Sequence, residues 1–445
     1  MALMISVSGV RGLVGETLTP AVALEFAQAY GTLLGGGRVV LARDTRPSGA
    51  MFQATVAAGL LATGCEVIQL DVAMTPTVGH AIRTGAYAGG VVVTASHNPS
   101  EWNGLKFLDE LGVAPDPARA QRIAELRSTG EYRLRTSGFG ALTCDTDAGQ
   151  RHVDAVLAVR DVPADRTRGL RVVLDSINGA GCTDTPRLLA ALCCEVTHIN
   201  GTPNGEFAHR PEPVRENLTQ LCETVRQTGA AVGFAQDPDA DRLALVDETG
   251  TYIGEEYTLA LAAQFALARR PGPVAANLST SRMIDDVAAR HGFRVIRTPV
   301  GESHVARAML ANQCVFGGEG NGGVIDPRIG YVRDSLTGIS LIVQALAAAG
   351  RPLSALVADL PRYATIKQKF ELPRERIDAA VRAVSASFAS RRPNTADGVR
   401  VDFDAGWVHL RASNTEPILR IIAEARTTVD AEQLVQQVRA AAGLG

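Results

Sequence analysis

One pattern recurs three times along this chain of 445 residues: an apolar strand, a polar loop, an amphipathic helix and a second strand. The copies begin at RVVLARDTRPSG, LRVVLDSINGAG and PVAANLSTS. Cys65, Cys194 and Phe293 hold the equivalent place before the second strand of each copy. Strands that alternate with helices of about 10 to 15 residues form βαβ units and largely parallel sheets. The pattern therefore predicts three related α/β domains.

The C-terminal part of the chain carries a different pattern. The stretch VRVDFDAGWVHLRASNTEPILRIIAEA alternates as antiparallel strands do, and helix-like stretches flank it. This predicts a fourth, smaller α+β domain. The predicted fold class is α/β, with three related α/β domains of mixed sheets at residues 1–140, 150–250 and 251–360, and the α+β domain at residues 361–445.

Bulk composition excludes several classes of protein. A formal charge of −3 offers no basic surface for nucleic acid, and no uninterrupted apolar stretch of about 18 residues is available to span a membrane. The seven cysteines are scattered and lack a CxxC pair, so neither a disulfide framework nor a zinc site is indicated. The N-terminus lacks a signal-peptide pattern. We expect a cytoplasmic monomer or homodimer whose partners are small molecules, not nucleic acid or membranes.

The motif TASHNP, residues 94–99, begins where an interior strand ends at Val91–Val93. A plain turn after such a strand needs little more than the Asn-Pro pair. Here a serine, Ser96, is followed by His97, and Lys106 comes ten positions after the serine. The motif leaves two readings: Ser96 is an ordinary loop hydroxyl, or it is a reacting group.

A second motif, DPDADR, places Asp237, Asp239 and Asp241 at alternate positions. Pro238 makes an interior strand unsuitable, so a tight loop between two strands is predicted. Three carboxylates this close repel one another unless a cation neutralises them. Oxygen ligands favour a hard ion, Mg²⁺ or Mn²⁺. The alternative is a solvated acidic turn capped by Arg242.

Two further loops carry groups that suit a sugar phosphate. In GEGNGG the glycines allow close backbone approach, and Glu319 and Asn321 can bond hydroxyl groups. In RASNTEP a guanidinium precedes neutral donors, an arrangement that suits phosphate; the residues concerned are Arg411, Ser413, Asn414 and Thr415. The alternatives are a glycine turn and a polar hairpin loop.

Three arginines, Arg11, Arg43 and Arg46, stand near predicted strand ends; an ordinary surface position is the alternative for each and is the favoured interpretation for Arg43. Together the motifs supply a hydroxyl, a hard-metal site, a loop for hydroxyl contacts and a phosphate cradle, each in a different predicted domain. This combination favours phosphoryl transfer on a sugar phosphate.

With these four motifs in this order, the chain resembles the α-D-phosphohexomutase superfamily over nearly its whole length. TASHNP resembles the phosphoserine loop of that superfamily, DPDADR its magnesium loop and RASNTEP its phosphate-binding loop, while GEGNGG stands where its sugar-specificity loop lies. The resemblance implies three α/β domains and a smaller C-terminal domain around a central cleft. It also implies a phosphohexomutase, an isomerase that uses Mg²⁺ and a hexose 1,6-bisphosphate intermediate.

The resemblance also implies roles for individual residues. Ser96 would carry the phosphoryl group, and Asp237, Asp239 and Asp241 would hold Mg²⁺ together with a phosphoserine oxygen. Around the reacting serine, the catalytic set implied by the family motifs is Arg11, His97, Lys106 and Arg242. The substrate-binding set implied for sugar hydroxyls and the non-reacting phosphate is Glu319, Asn321, Arg411, Ser413, Asn414 and Thr415.

The sugar loop departs from the form GExSGH that many members carry. Asn321 replaces the serine and Gly323 the histidine, and Glu302 stands where some members have histidine. The loop is similar to that of an archaeal-type branch that mixes phosphoglucosamine mutases with phosphomannomutase/phosphoglucomutase enzymes. The specific hexose therefore stays open. The alternative functions are a metal-dependent sugar-phosphate phosphatase and a non-catalytic sugar-phosphate binding protein.

Overall fold

The computed structural model describes residues 3–413 and 418–444. Within these residues the strands form four sheets, three of mixed direction and one antiparallel. The prediction of three α/β domains with mixed sheets followed by a smaller α+β domain is confirmed. The mixed direction arises because each of the first three sheets joins parallel strands to an antiparallel hairpin.

The first domain is built on a seven-stranded sheet. Its strand order is β1-β2-β6-β5-β3-β4-β7, antiparallel from β1 to β5 and parallel from β5 to β7. The strands are β1 (Met4–Ser6), β2 (Gly9–Leu13), β3 (Gly37–Arg43), β4 (Cys65–Val72), β5 (Gly89–Val93), β6 (Trp102–Leu108) and β7 (Leu142–Cys144). The helices are α1 (Pro20–Leu34), α2 (Gly49–Ala62), α3 (Thr75–Gly85) and α4 (Pro117–Thr129).

The second and third domains share a plan in which parallel strands end in an antiparallel edge. The second contains α5 (Ala148–Ala158), β8 (Arg171–Asp175), α6 (Asp184–Ala191), β9 (Glu195–Ile199), α7 (Thr219–Thr228), β10 (Val232–Gln236) and β11 (Leu243–Asp247). The third contains α8 (Glu255–Arg269), β12 (Val274–Asn277), α9 (Met283–Arg290), β13 (Val295–Thr298), α10 (Glu302–Ala311), β14 (Phe316–Glu319), β15 (Gly323–Ile325), α11 (Ser335–Ala349) and α12 (Leu353–Ala358).

The C-terminal domain pairs all of its strands antiparallel, in the order β16-β19-β18-β17. Its elements are β16 (Ala364–Glu371), α13 (Arg374–Ser387), β17 (Val399–Asp402), β18 (Gly406–Ala412), β19 (Ile418–Ala425) and α14 (Thr428–Ala441). Short 3₁₀ turns lie at Ala389–Arg391 in this domain and at Ala180–Cys182 and Arg215–Asn217 in the second domain.

Local sequence explains where several elements begin and how they are buried. Strands β5 and β10 are buried at every position, as continuous apolar runs in the middle of a sheet should be. Thr19 accepts a hydrogen bond from the Val22 N–H and precedes a proline at the start of α1. Asp334 caps α11 in the same way, accepting from the Leu336 N–H. Such caps satisfy backbone donors that have no partner within the helix.

The cores show which domains pack tightly together. One apolar cluster is continuous between the second and third domains and includes Leu174, Phe234, Phe316 and Leu336. The first domain and the C-terminal domain each have a separate core. Helix α11 lies between the second and third domains, and nearly all of its turns are buried. No helix in residues 3–413 and 418–444 combines the length and apolar character needed to cross a membrane.

A buried polar cluster joins the first three domains. His152 of α5 lies 3.0 Å from Thr77 Oγ1 of the first domain and 3.1 Å from the Asp334 carboxylate of the third. His80 of α3 stacks on the His152 ring, with 5.3 Å between ring centroids. Burial, followed by the neighbouring His152, lowers the pKa of His80. Burial would raise the pKa of Asp334, but His152 lowers it overall.

This cluster predicts a loss of stability in mild acid. Because the pKa of His80 is lowered in the folded chain, His80 takes up a proton less readily there than in the unfolded chain, where it does so below about pH 6.5. The unfolded state then binds more protons, so stability that is present above that pH decreases as the pH falls. Asp334 adds a further loss below about pH 4, where only the unfolded carboxylate is protonated.

The melting temperature should be measured from pH 7.5 to pH 5 for the wild type, His80→Gln and His291→Gln. The His291 variant controls for removing a histidine from the end of a helix outside this cluster. We expect the wild type and the control to lose stability in parallel and His80→Gln to lose less. Equal slopes for the wild type and His80→Gln would contradict the assignment.

Candidate active site

The loop after β5 holds Ser96 in a backbone conformation that few residues adopt. Its φ is +51°, in the left-handed region, and its side chain is buried. The Ser96 N–H donates to Thr94 Oγ1 at 2.9 Å, and the Thr94 hydroxyl donates to Asp44 Oδ2 at 2.6 Å. The strained turn is therefore supported by buried hydrogen bonds rather than by glycine.

Arg46 supports the same loop from beneath. Its guanidinium is completely buried, and Nη2 donates to the carbonyl oxygens of Ser96 and Asn98 at 2.6 and 2.7 Å. Nη1 donates to the carbonyls of Pro99 and Trp102, and Nε donates to an Asp44 carboxylate oxygen at 3.0 Å. The surface position offered as the alternative for Arg46 is wrong because the loop carbonyls need these donors once water is excluded.

The aspartate motif forms the predicted tight loop between β10 and β11. All three carboxylates are buried, and each offers an oxygen within 4.8 Å of the others. Asp237 Oδ1 accepts from the backbone N–H groups of Asp241 and Arg242, both at 3.1 Å. The Ser96 hydroxyl donates to Asp237 Oδ2 at 3.1 Å. The structure thus brings the loops of the first and second domains together, and the solvated-turn alternative is wrong.

The unsatisfied atoms of this loop fit a metal ion. Among the described residues, the Oδ1 atoms of Asp239 and Asp241 are buried without a hydrogen-bond partner. Burial, together with the neighbouring Asp241 and Asp239, raises the pKa of Asp237. Buried carboxylates in this arrangement are stabilised when a cation neutralises them, and an all-oxygen set suits a hard divalent ion. The three aspartates can therefore hold a metal beside Ser96.

Lys106 supplies positive charge to the same loop. It lies in β6, opposite Val92 of β5, and its Nζ contacts carboxylate oxygens of Asp239 and of Asp241, the latter at 2.9 Å. Thr75 Oγ1 also donates to Asp239, at 2.6 Å. Burial would lower the pKa of Lys106, but Asp239 and Asp241 raise it overall. The ammonium group therefore stays charged at neutral pH.

Arg333 connects the aspartate loop with the sugar loop and belongs to no recognised motif. It donates to Asp241 Oδ2 at 2.7 Å, to Glu319 Oε2 at 2.9 Å and to Glu302 Oε2 at 2.7 Å. Burial would raise the pKa of Asp241, but Arg333, Lys106 and Arg242 lower it. One signal lay in the resemblance, in which Glu302 stands where some members of the superfamily have histidine; here Glu302 pairs with Arg333.

The remaining groups near Ser96 form a looser shell. The His97 ring nitrogen Nδ1 lies 3.5 Å from the Ser96 hydroxyl oxygen. Arg242 Nε lies 3.9 Å from carboxylate oxygens of both Asp237 and Asp241. Arg242, then burial and Arg11, lower the pKa of His97 to about 2, so its ring is neutral. Arg11 donates to a side-chain oxygen of the same loop, on Asn98, at 3.1 Å.

The sugar loop is the turn between β14 and β15. Glu319 is buried, and its Oε1 accepts from Asn277 Nδ2 at 2.7 Å and from the Gly301 N–H at 3.1 Å. The side-chain oxygen of Asn321 is buried and has no partner among the described residues. Gly322 has a φ of +85°, and a side chain there would collide with the carbonyl of Leu243. The turn therefore requires glycine at this position.

The structure describes only part of the predicted phosphate cradle in the motif RASNTEP. Arg411 ends β18 and donates through Nε to Asp397 Oδ2 at 3.0 Å. The Ser413 N–H donates to the Ile418 carbonyl at 2.7 Å across the start of the hairpin turn. Asn414 and Thr415 lie outside the described residues.

One cavity of about 310 Å³ collects groups from all four domains. Its lining includes Arg11 and Lys106 from the first domain, Arg242 from the second, Glu319, Asn321 and Arg333 from the third, and Lys367, Arg411 and Arg420 from the C-terminal domain. Ser96, His97 and the three aspartates are not part of this lining; the aspartates contact Thr75, Lys106 and Arg242, which do reach the cavity, and the Ser96 hydroxyl in turn contacts Asp237. The many cations favour an anionic ligand.

Comparison with known proteins identifies the family. Four domain profiles described as phosphoglucomutase/phosphomannomutase match in order: alpha/beta/alpha domain I at residues 3–133, domain II at 150–250, domain III at 254–363 and the C-terminal domain at 366–441. The chain belongs to the phosphoglucomutase/phosphomannomutase family. The resemblance to the α-D-phosphohexomutase superfamily is confirmed, and the chain is accordingly a phosphohexomutase, which is an isomerase.

Relatives of this phosphohexomutase carry two kinds of name. A probable phosphoglucosamine mutase of Methanopyrus kandleri is 41% identical over 96% of this chain and 95% of its own. A phosphoglucomutase/phosphomannomutase of Thermococcus kodakarensis is 39% identical over 98% and 97%. The crystal structure of a Burkholderia thailandensis member of the family matches with a TM-score of 0.87 at 28% identity, covering 99% of each chain.

The metal assignment in this phosphohexomutase predicts a measurable effect of Asp239→Asn. Removing one carboxylate charge should weaken Mg²⁺ binding, so the rise in melting temperature caused by Mg²⁺ should fall by at least about half, in line with binding linkage. Asp404→Asn is a matched control because that side chain is fully exposed in the C-terminal domain. Thermal melts with and without Mg²⁺ would test this. An unchanged Mg²⁺-dependent rise in the Asp239 variant would contradict the assignment.

Proposed function

We propose that the chain interconverts hexose 1-phosphates and hexose 6-phosphates through a phosphorylated Ser96 and a hexose 1,6-bisphosphate. The observation that carries this proposal is the Ser96 hydroxyl, which lies 3.1 Å from the buried aspartate loop behind a cavity that also contains Arg411. A carrier hydroxyl and a remote phosphate group are both needed when one phosphate leaves and the other stays bound.

The proposed reaction balances without an added reactant. The 6-hydroxyl of a hexose 1-phosphate attacks the phosphorus of phosphorylated Ser96, so the bond to Ser96 Oγ breaks and a bond to the sugar oxygen forms. The proton lost by the sugar hydroxyl ends on Ser96 Oγ. After the bisphosphate turns over, Ser96 attacks the phosphorus at position 1, and the proton returns to the sugar.

The charged groups around Ser96 are assigned to stabilise the transferring phosphoryl group. Lys106 and Arg242 contact the aspartate loop and also line the cavity, and Arg11 lines it beside them. His97 is neutral, and its Nδ1 lies 3.5 Å from Ser96 Oγ; because the Ser96 hydroxyl donates to Asp237, the His97 ring is assigned to donate a hydrogen bond from Nδ1 to Ser96 Oγ. Mg²⁺ held by Asp237, Asp239 and Asp241 with a phosphoserine oxygen would neutralise charge on the phosphoryl group.

Two alternative functions fit the site less well. A metal-dependent phosphatase must admit water to the reacting group, whereas the Ser96 side chain is only 1% exposed. A phosphatase also has no need for a phosphate cradle in a separate domain. A binding protein has no need for a hydroxyl directly against a buried aspartate loop.

The C-terminal cradle is assigned to the phosphate that does not react. This role belongs to Arg411 and Ser413, together with Asn414 and Thr415 by position in the motif. Glu319 and Asn321 are assigned to the sugar, although Glu319 is also held by Asn277 and Arg333. Three further points stay proposals: domain boundaries near residues 140, 250 and 360, a monomeric or homodimeric state, and a cytoplasmic location.

Two carboxylates in the cavity favour an amino sugar as the preferred substrate. Glu255 and Glu256 open α8 and line the cavity, and no ion pair is found for either within the described residues. Glu255 Oε1 is buried without a partner, and the Glu256 carboxylate packs against Gly320 of the sugar loop. Glu256 already accepts a hydrogen bond from the Ser281 N–H at 3.0 Å, so an ammonium substituent would supply a donor for Glu255 Oε1 and a positive charge for both carboxylates. We therefore expect glucosamine phosphate to be preferred over neutral hexose phosphates, which should still react.

Ser96→Ala should remove most mutase activity because no covalent carrier remains. Turnover of hexose 1-phosphate should be compared with that of Ser128→Ala, which removes an exposed hydroxyl on α4. The phosphate adduct in the intact mass should disappear only in the Ser96 variant. Near wild-type turnover by Ser96→Ala would show that the serine is an ordinary loop residue.

The substrate proposal needs a side-by-side assay on the 1-phosphates of glucose, mannose, glucosamine and N-acetylglucosamine. Glu256→Gln should lower kcat/KM for glucosamine 1-phosphate about tenfold relative to glucose 1-phosphate, since a charged hydrogen bond is lost. Glu223→Gln, on the exposed face of α7, is the matched control. A constant ratio between the two sugars would contradict the role of Glu256. Strict use of a single substrate by the wild type would contradict the expected breadth.

A further inference from the structure

Polar contacts between the third and C-terminal domains concentrate on two short segments of the third. One follows β12, where the Ser279 hydroxyl lies 2.9 Å from His409 Nδ1 and the Arg282 N–H donates to Glu424 at 2.9 Å. The other follows β13 and includes Val300. The two domains have separate apolar cores, so these contacts hold the C-terminal domain against the cavity.

Asp397 stands at the second of these contacts. It lies just before β17, and its Oδ2 atom accepts two hydrogen bonds from different domains, from Arg411 Nε at 3.0 Å and from the Val300 N–H at 3.0 Å. Its backbone carbonyl accepts from the His409 ring at 2.6 Å. One carboxylate oxygen thus joins the phosphate cradle to the backbone of the third domain.

The backbone that Asp397 contacts continues directly into the sugar site. The Gly301 N–H donates to Glu319 Oε1 at 3.1 Å, and Glu302 pairs with Arg333. A shift of Val300 would therefore be felt at Glu319 as well as at Asp397. The two ends of the substrate site share this stretch of three residues.

Arg411 needs a partner that fixes its orientation. It lies directly across the strand pair from Arg420, and like charges in that position repel. The Asp397 carboxylate offsets this repulsion and occupies the Nε edge of the guanidinium. The fork geometry of an arginine makes its recognition of phosphate strongly dependent on orientation.

We propose that Asp397 is a positioning residue that orients Arg411 for the substrate phosphate while the Val300 N–H of the third domain holds the Asp397 carboxylate in place. The C-terminal domain would then dock on the third domain and orient the phosphate cradle through the same Asp397 carboxylate, so the two processes are coupled. This inference rests on the proposed function, because it assigns a substrate phosphate to Arg411.

The test compares Asp397→Ala, Asp397→Asn and Arg411→Ala with Asp404→Ala, an exposed aspartate in the turn between β17 and β18. For the best hexose 1-phosphate, Asp397→Ala should raise KM about tenfold and change kcat less than about threefold, because an oriented ground-state contact is lost. Asp397→Asn keeps an acceptor oxygen and should fall between the wild type and the alanine variant. Asp404→Ala should match the wild type.

A double-mutant cycle separates positioning from general damage. If Asp397 acts through Arg411, adding Asp397→Ala to Arg411→Ala should raise KM less than about twofold further, since residues in one network are not additive. A merely structural role would instead lower the melting temperature and the active fraction in both backgrounds. KM within twofold of the wild type for Asp397→Ala, or full additivity in the cycle, would overturn the inference.

Calorimetric binding of glucose 6-phosphate keeps the test independent of turnover. Asp397→Ala and Arg411→Ala should weaken binding by similar factors, and Asp404→Ala should not. Absence of mutase activity in the wild type would contradict the proposed function alone. Unweakened binding by Asp397→Ala, with weakened binding by Arg411→Ala, would contradict the positioning role alone.

Discussion

Mutual repulsion among three buried carboxylates is the constraint on which the rest of this site depends. Asp237, Asp239 and Asp241 lie close together where water cannot screen them. Cations from two other domains offset this repulsion: Lys106 from the first and Arg333 from the third. Removing either cation would leave a buried charge without its partner, which is far more costly than losing a surface ion pair. The electrostatics of the aspartate loop therefore tie three domains to one arrangement.

The domains differ in how they are held together. The difference matches what each domain contributes to the site. The second and third share an apolar core, and a cluster of buried histidine, threonine and aspartate side chains joins the first to both. Such interfaces are stiff because displaced polar groups lose partners that water cannot replace. The C-terminal domain has a separate apolar core and is attached to the third domain through polar contacts, among them those of Asp397 and His409. That kind of attachment would suit the release and recapture of phosphate that we propose for this domain.

The sequence predicted those parts of the site that consist of short motifs of consecutive residues. Ser96 stands directly after buried strand β5 and the aspartates directly after buried strand β10, each at the carboxyl end of a strand in its own sheet, where functional loops collect. Arg333 could not be predicted this way, because its partner Asp241 lies 92 positions earlier and neither residue constrains the spacing. Arg46 binds carbonyls about 50 positions away, and carbonyl groups leave no trace in a sequence. Asp397 reaches Val300 across 97 positions for the same reason.

The left-handed backbone at Ser96 also limits which residue could carry the phosphoryl group that we propose for this position. Threonine offers the same hydroxyl chemistry, but its β-branched side chain is a steric outlier at positive φ. Short unbranched polar side chains, such as those of asparagine and aspartate, tolerate this conformation well. Serine is the hydroxyl residue closest to them in shape. The turn thus makes the position selective between two chemically equivalent alcohols, and a threonine there would have to reshape the loop before it could accept phosphate.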